Sequence, residues 1–288
     1  MKNIVSRRSF QRICQIASLF FINGHFNAFK TFSIYQGRLK SVFLPVLNCH
    51  SCPLALYACP IGALQYFIMT GRLSSYVLGL IALFGVTAGR LGCGLLCPFG
   101  LLQDVLFRLG SVRIPLPRGF TYIKYVILLG VVAGATYFLA IPAFCKICPV
   151  AVLEAGYPNV LLNPPVWDRL FSPLTHQFTG WFFLVKTLAL VIIVFMSIRI
   201  KRPFCRIFCP LGALFGLFNR FSVVHIAVDK NNCTSCQRCA RICPVDLDIF
   251  KYPDSPECIL CMKCTTCKCI SVEFRTIPMK VRRHAQTR

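Results

Sequence analysis

The distribution of hydrophobic and polar positions divides the chain into long apolar stretches followed by a shorter polar region. Two stretches, Tyr122–Pro142 and Trp181–Ile198, reach the length of about 20 residues that a helix needs to cross a hydrocarbon core of about 30 Å. Ser75–Gly89 is shorter, and polar residues interrupt Phe10–Phe29. A fifth stretch, Val42–Met69, contains prolines, each of which removes a helical hydrogen bond. We therefore predict about four membrane spans and, over the fifth stretch, a bent segment at the membrane edge.

Composition and charge support this prediction. The 288 residues are 56% hydrophobic, and 32 lysines and arginines stand against only 9 aspartates and glutamates. Such a composition excludes a disordered tail protein and argues against an ordinary soluble enzyme. The basic residues flank the apolar stretches, so we assign them to membrane flanks and expect no nucleic-acid partner. The positive-inside rule predicts a multi-pass protein of the cell inner (cytoplasmic) membrane with both termini in the cytoplasm.

A repeated cysteine pattern organises the predicted membrane domain, which covers residues 1–228. The pattern Arg-x2-Cys-x3-Cys-Pro-x-Gly occurs at 90–100 and again at 202–212. A second pattern, Cys-x2-Cys-Pro, lies upstream of each copy, at 49–53 and at 145–149. The same order of patterns on both sides of an apolar stretch indicates an internal duplication.

The duplication defines two modules, at about 45–110 and 143–220, and predicts pseudo-twofold packing of the membrane domain. The extra length of the second module falls in the proline-rich stretch 157–173, which we predict to be a loop. The string Cys59-Pro60-Ile61-Gly62 is one further copy of the last four positions of the longer pattern, and the sequence alone gives it no role.

The Cys-Pro pairs carry the candidate chemistry of the membrane domain. Proline suits the first position of a helix, so each preceding thiol is expected at the positive N-terminal end of a helix, where thiolate is favoured. Pseudo-twofold packing predicts two sets of four cysteines. The inner set is Cys93, Cys97, Cys205 and Cys209, and the outer set is Cys49, Cys52, Cys145 and Cys148. Clusters or metal ions, redox-active thiols and purely structural thiols are all open for both sets.

Residues 229–277 carry the cysteine pattern of a bacterial two-cluster ferredoxin, a small α+β domain, and 278–288 form a basic tail. In such ferredoxins three cysteines of one run bind a [4Fe–4S] cluster and the fourth binds the other cluster. The first run is complete and consists of Cys233, Cys236, Cys239 and Cys243. The predicted fold class is thus a polytopic α-helical membrane protein with a C-terminal two-cluster ferredoxin domain.

The second ferredoxin run is irregular at its last position. It supplies Cys258, Cys261 and Cys264, followed by Cys267 one residue early and Cys269 one residue late. We favour Cys269 as the fourth ligand, because a loop lengthened by one residue closes more easily than a shortened one. The expected cofactors are two [4Fe–4S] clusters in this domain, with one or two further clusters on the membrane cysteines as an open extension.

The paired motifs at 93–98 and 205–210, the predicted spans and the terminal double ferredoxin resemble the NapH/MauN family of ferredoxin-type polytopic membrane iron–sulfur proteins. The basic start at 7–15 is similar to that family's entry into the first span. The resemblance implies electron transfer between cytoplasmic ferredoxin clusters and either the quinone pool or a redox partner at the outer face, within a complex. The pairs at 49–53 and 145–149 depart from the best-known members and leave the partner and the direction of electron flow open.

Two other functions compete with electron transfer by clusters. In a transmembrane thiol–disulfide relay, the ferredoxin domain would feed the membrane cysteines as dithiol–disulfide pairs. A plain membrane anchor is disfavoured, because it has no use for eight symmetrically placed cysteines. We assign no catalytic side chain, and the sequence leaves open whether the chain is a carrier or a subunit of a quinol dehydrogenase.

Overall fold

The computed structural model describes residues 2–31, 34–72, 74–158, 181–234, 236–267 and 269–274. Most of the predicted loop 157–173 and the whole predicted tail 278–288 lie outside the described residues.

The described part of the chain is mostly helical and contains one two-stranded sheet. The helices of the first half are α1 (Lys2–Ile22), α2 (Ala28–Thr31), α3 (Pro60–Met69), α4 (Ser75–Ala88), α5 (Leu91–Leu95) and α6 (Pro98–Leu109). The second half has α7 (Ile123–Val126), α8 (Thr136–Leu139), α9 (Ala143–Ile147), α10 (Pro149–Ala151), α11 (Trp181–Arg199) and α12 (Pro210–Phe218), with π-helical segments at Ile127–Ala135, Val152–Gly156 and Phe204–Phe208. The C-terminal region adds β1 (Val224–Val228), α13 (Arg238–Ile242) and β2 (Ile270–Phe274), and 3-10 turns cover Arg38–Ser41, Arg118–Tyr122 and Lys263–Thr266.

Two helical stretches among the described residues, Gly119–Leu139 and Phe182–Arg199, are long and apolar enough to cross a membrane. They coincide with the two apolar stretches that reach full spanning length in the sequence. The other two predicted spans correspond to shorter apolar helices at Ser9–Ile22 and Ser75–Ala88.

The first apolar helix is shorter than the predicted stretch Phe10–Phe29. It ends at Ile22, where the Nδ2 of Asn23 donates a hydrogen bond to the carbonyl oxygen of Leu19 at 3.3 Å. Gly24 follows, and asparagine and glycine are the residues that most readily end a helix.

The proline-containing segment Val42–Met69 is bent. A parallel bridge joins Phe43 to Ala58, and no helix of this segment begins before Pro60, which occupies the first position of α3. The bend brings both ends of the loop 43–58 together immediately before the N-terminus of α3.

The two long helices run in opposite directions relative to the C-terminal region. Lys124, near the start of Gly119–Leu139, forms an ion pair with Glu257. Lys201, just beyond the end of α11, donates to Asp246 at 2.7 Å. The start of one helix and the end of the other therefore lie against the same face of the C-terminal region.

The C-terminal region consists of two similar halves joined by a sheet. β1 and β2 are antiparallel, with Val228 opposite Ile270. In each half a residue with left-handed backbone, Gln237 (φ 55°) or Met262 (φ 59°), precedes a short helix, α13 or Lys263–Thr266. The two cysteine runs therefore share one local backbone geometry.

The C-terminal region packs directly on the helices that precede it. Cys93 of α5 is buried in the same apolar cluster as Cys243, Ile259 and other residues of the C-terminal region. A Cβ atom on Gly94 would lie 2.1 Å from the carbonyl oxygen of Ile259, so only glycine allows this approach.

Candidate metal centres

Four helices begin with the same Cys-Pro junction. Proline is the first residue of α3, α6, α10 and α12, and the cysteine before it is the N-cap residue in extended backbone conformation. The four N-cap residues are Cys59, Cys97, Cys148 and Cys209. Proline's fixed φ and missing N–H make it well suited to this first position, which explains why the helices start there.

The predicted inner set of thiols converges on one cavity. Its lining includes Cys93, Cys97, Cys205 and Cys209 together with Arg90 and Leu47. The Nε2 of Gln103 donates to Cys205 Sγ at 3.2 Å, and the backbone N–H of Gly212 donates to Cys209 Sγ at 3.4 Å. The two halves of the repeat thus contribute two thiols each.

Two buried arginines bridge the halves around the inner cavity in a reciprocal way. Arg90 and Arg202 occupy the same motif position, and each is 1% exposed. Arg90 Nη2 donates to the carbonyl oxygen of Cys205 at 3.4 Å, and Arg202 Nη1 donates to that of Cys93 at 3.2 Å. Arg202 also binds both carboxylate oxygens of Asp104, at 2.8 and 2.7 Å, which lowers the pKa of Asp104 despite its burial.

The outer cavity contains three of the four thiols predicted for it. Its lining residues include Cys49, Cys59, Cys145 and Cys148. Cys52 is not among them, and its Sγ lies 3.9 Å from Asn23 Oδ1. Cys59, which the sequence left without a role, takes the fourth place because the helix begins at Pro60 and not at Pro53.

Three of the cysteines that precede a proline are followed, six residues later, by a side chain that contacts a cysteine motif in the other module of the repeat. The sequence did not predict this feature. Gln65 Nε2 donates to Cys145 Sγ at 3.3 Å, and its Oε1 accepts from the N–H of Phe144 at 2.9 Å. Gln103 repeats this geometry at the inner cavity, where its Oε1 accepts from the N–H of Phe204 at 3.1 Å. The common spacing after Cys-Pro was the signal that could have identified these residues.

Glu154 occupies the same position relative to Cys148. Its Oε2 accepts a hydrogen bond from the backbone N–H of Cys49 at 2.6 Å. Burial raises the pKa of Glu154 to about 8, and the Cys49 hydrogen bond partly offsets that rise. The outer cavity is therefore bordered by a buried carboxyl group.

The C-terminal region forms one cysteine-lined cavity and a more open second group. Cys243 of the first run and Cys258, Cys261 and Cys264 of the second line the cavity. Of the other cysteines of the first run, Cys233 is half-buried, Cys236 is exposed and Cys239 is buried, and Cys267 is within electrostatic range of all three. The thiol of Cys269 forms a hydrogen bond with Cys233.

Burial raises the pKa of several membrane-region thiols. It raises the pKa of Cys97 to about 12, with smaller contributions from Cys205 and Cys93, and it raises the pKa of Cys145 to about 12. The helix N-termini were expected to favour thiolate, but at Cys97 the loss of hydration outweighs the backbone N–H donor of Gly100. Metal binding requires such thiols in the deprotonated form.

The donor sets fit iron–sulfur clusters. Each of the three cavities presents four thiols, and a [4Fe–4S] cluster takes one thiolate for each iron. Within the described part of the chain, no three His, Cys, Asp or Glu side chains are grouped closely enough to hold a single metal ion.

Comparison with known proteins bears directly on the repeat. A family model described as a 4Fe–4S binding domain matches residues 72–117 and again residues 180–228. Each matched stretch contains one Arg-x2-Cys-x3-Cys-Pro-x-Gly motif, so the two matches fall on the two copies of the repeat.

Three relatives illustrate how far the similarity extends. The chain is 27% identical to an uncharacterized protein of Methanocaldococcus jannaschii, over 75% of this chain and 85% of that protein. It is 29% identical to a second protein of that organism, over 76% of this chain and 78% of the relative. It is also 27% identical to the ferredoxin-type protein NapH of Haemophilus influenzae, over 67% of this chain and 62% of NapH. No solved structure gives a significant match.

The 4Fe–4S match, the electron-transport relatives and the apolar helices define the class of the chain, an iron–sulfur protein with an electron-transfer role. Within that class it is similar to the NapH-like ferredoxin-type proteins, the resemblance that its paired motifs predicted.

Proposed function

We propose that the chain passes electrons between ferredoxin clusters on the cytoplasmic side and a redox partner in the membrane. In this proposal two [4Fe–4S] clusters occupy the C-terminal region and a third occupies the inner set of membrane cysteines. When bound, such clusters take up and release single electrons at potentials that depend on their surroundings.

The observation that carries the proposal is the direct contact between the inner cavity and the C-terminal cavity. Cys93 of the former is buried in one apolar cluster with Cys243 and Cys258 of the latter. Arg90 lines the inner cavity and donates to the carbonyl oxygen of Pro256 at 2.7 Å. Asn219 Nδ2 donates to the carbonyl oxygen of Cys258 at 2.5 Å. These contacts join the linings of the two cavities directly.

The cysteines of the C-terminal region divide between two clusters in the crossed manner of bacterial ferredoxins. We assign Cys243, Cys258, Cys261 and Cys264 to one cluster, because they line one cavity. We assign Cys233, Cys236, Cys239 and Cys267 to the other. Cys267 is within electrostatic range of all three partners, which supports this assignment, while Cys269, favoured by the loop length, contacts Cys233 and is the competing ligand.

This choice gives a matched pair of variants. Cys267→Ser is expected to lower the iron content by up to about four atoms per chain or to convert one cluster to a three-iron form, whereas Cys269→Ser is expected to retain full iron. Iron analysis and electron paramagnetic resonance of anaerobically purified protein measure both. The reverse pattern would restore Cys269 as the ligand.

Four helices are proposed to cross the membrane, namely α1, α4, Gly119–Leu139 and α11. Gln11, midway along α1 and near the start of its apolar part Ser9–Ile22, donates to the carbonyl oxygen of Gly94 at 2.6 Å, close to the C-terminal region. At the other end of α1, the carbonyl oxygen of Ile22 accepts from the N–H of Leu56 in the outer module. A reporter fused after Arg288 is expected to be active in the cytoplasm, and periplasmic activity would refute this topology.

A thiol–disulfide relay is the second candidate, and the environment of the thiols argues against it. Cys97 and Cys209 are buried, and burial raises the pKa of both, which lowers the fraction of nucleophilic thiolate. A relay also predicts exchange with external dithiols. Resistance of the native protein to alkylation, followed by full labelling after iron removal, would favour clusters over a relay.

A groove near the membrane boundary supports a quinone as the partner. It has a volume of about 640 Å³, and its lining includes Tyr122, Tyr125, Arg206 and Tyr252. Aromatic rings with a few polar groups are typical of sites for small organic cofactors. The protein reduced by dithionite is expected to be reoxidised by a short-chain quinone, and Tyr125→Ala is expected to slow that reaction severalfold.

Iron and sulfide analysis tests the number of centres. Full occupancy of the C-terminal region alone corresponds to about eight irons per chain, and the inner centre raises this to about twelve. A content of eight irons in intact, anaerobically purified protein would remove the inner cluster from the proposal.

A further inference from the structure

We propose that Cys49, Cys59, Cys145 and Cys148 bind an additional [4Fe–4S] cluster next to the inner centre. The inference rests on the proposed function, since it extends the same electron path by one centre. It differs from the sequence-based outer set in one ligand, because Cys59 replaces Cys52.

Convergence of the four thiols is the first argument. They come from three separate segments of the chain and line a single cavity. Cys148 is within electrostatic range of both Cys145 and Cys59, and Cys49 is within range of Cys148 and Cys145. Cys52 instead interacts with Asn23 and with Lys40.

Equivalence with the inner centre is the second argument. Cys59 and Cys148 are N-cap residues before a helical proline, as Cys97 and Cys209 are at the inner cavity. The contact of Gln65 with Cys145 and Phe144 repeats that of Gln103 with Cys205 and Phe204. The same frame of helix starts and amide contacts is therefore built twice, and its inner copy lies within a match to a 4Fe–4S domain.

An unpartnered amide is the third argument. Asn48 lines the outer cavity and is 2% exposed, yet neither its Nδ2 nor its Oδ1 has a hydrogen-bond partner among the described residues. A buried amide without partners costs free energy unless a ligand satisfies it. The sulfide and thiolate sulfurs of a cluster are acceptors of the kind that Nδ2 lacks.

The outer cavity lies beside the inner cavity, where a cluster could exchange electrons with the inner centre. Leu47 is buried and lines both the outer and the inner cavity. The two centres are therefore neighbours on opposite sides of one side chain, and the outer centre continues the series that begins in the C-terminal region.

Matched serine variants test the assignment in the full-length protein, purified anaerobically in detergent. The wild type and Cys52→Ser are expected to contain about sixteen irons per chain, and Cys59→Ser and Cys49→Ser about twelve. Mössbauer and electron paramagnetic resonance spectra should lose one component in Cys59→Ser and none in Cys52→Ser. Circular dichroism and retention of the remaining clusters show whether each variant is folded.

The outcomes separate this inference from the proposed function. If the wild type contains about twelve irons and Cys59→Ser leaves them unchanged while Cys97→Ser removes about four, the outer cluster is refuted and the proposed function stands. Loss of iron in Cys52→Ser but not in Cys59→Ser would refute the ligand set. One zinc per chain that disappears in Cys59→Ser would refute the cluster in favour of a structural ion. A wild type with about eight irons would refute both proposals.

Discussion

The inner and outer centres share one frame but differ in their electrostatic surroundings. Both cavities have cysteines at helix starts and a glutamine that contacts the facing motif. The inner cavity is flanked by Arg90 and Arg202, which also hold Asp104 and Glu257. The outer cavity is bordered by Asn48, His50 and Glu154, and Lys146 and Lys186 lie within electrostatic range of Cys145.

The difference indicates that duplication supplied the frame and that the surroundings were then specialised. The arginines at the inner centre connect the two halves of the repeat and the C-terminal region. Positive charge also stabilises the more negative, reduced form of a cluster, so we expect Arg90 and Arg202 to raise the reduction potential of the inner centre. The following predictions test these two roles, beginning with the largest expected effect.

Removal of an inner ligand is expected to have the largest effect. Cys205→Ser should lose about four irons and stop electron transfer beyond the C-terminal region, because no other thiol lines the cavity at that place. Cys14→Ser is the control, since Cys14 lies in α1 and lines neither centre. Iron content and stopped-flow reduction measure the effect. An unchanged iron content in Cys205→Ser would show that Cys205 is not a cluster ligand and that the two centres are not equivalent.

Loss of a buried arginine is expected to have the second-largest effect. Arg202→Leu should destabilise the protein by about 3–5 kcal/mol, because it leaves Asp104 and the carbonyl oxygen of Cys93 without their buried donor. Lys251→Leu removes an exposed pair with Asp248 and should cost less than about 1 kcal/mol. The denaturant concentration at which the cluster absorbance is lost compares the two variants. Equal losses of stability in Arg202→Leu and Lys251→Leu would show that Arg202 does not bridge the two halves of the repeat.

A substitution at Gly94 tests the contact between the C-terminal region and the inner centre. Gly94→Ala places a methyl group 2.1 Å from the carbonyl oxygen of Ile259 and should cost about 1–3 kcal/mol while slowing reduction of the inner centre. Gly119→Ala has open space and serves as the control. Rates of reduction after mixing with dithionite, together with thermal stability, give the readout. Identical behaviour of the two variants would contradict the described packing.

The smallest expected effects are shifts of the clusters' reduction potentials on loss of a glutamine. Gln103→Leu and Gln65→Leu each remove a hydrogen bond to a cysteine sulfur, at 3.2 and 3.3 Å respectively. Such bonds stabilise the reduced cluster, so each variant should lower the midpoint potential of its own centre and leave the other unchanged. Redox titration monitored by electron paramagnetic resonance resolves the two. A shift of the wrong centre would show that the glutamines do not act locally.

Sequence periodicity and spacing were sufficient for the features that depend on local chemistry. Apolar length predicted the two long helices, and Cys-Pro spacing predicted the helix starts at Pro98 and Pro210. The repeated motif predicted the convergence of the inner thiols and the NapH-like resemblance. These features were predictable because proline geometry and apolar burial act over a few residues.

The choice among competing cysteines was made by the tertiary structure. Cys52 and Cys59 both precede proline, and only the bend over 43–58 decides which thiol reaches the outer cavity. The pairing of β1 with β2 places both Cys267 and Cys269 near the first ferredoxin run, with Cys269 in hydrogen-bond contact with Cys233, which the spacing of the second run did not reveal. Contacts between segments far apart in sequence, such as that of Gln65 with Cys145, leave no local pattern. They become visible only when packing brings the two halves of the repeat together.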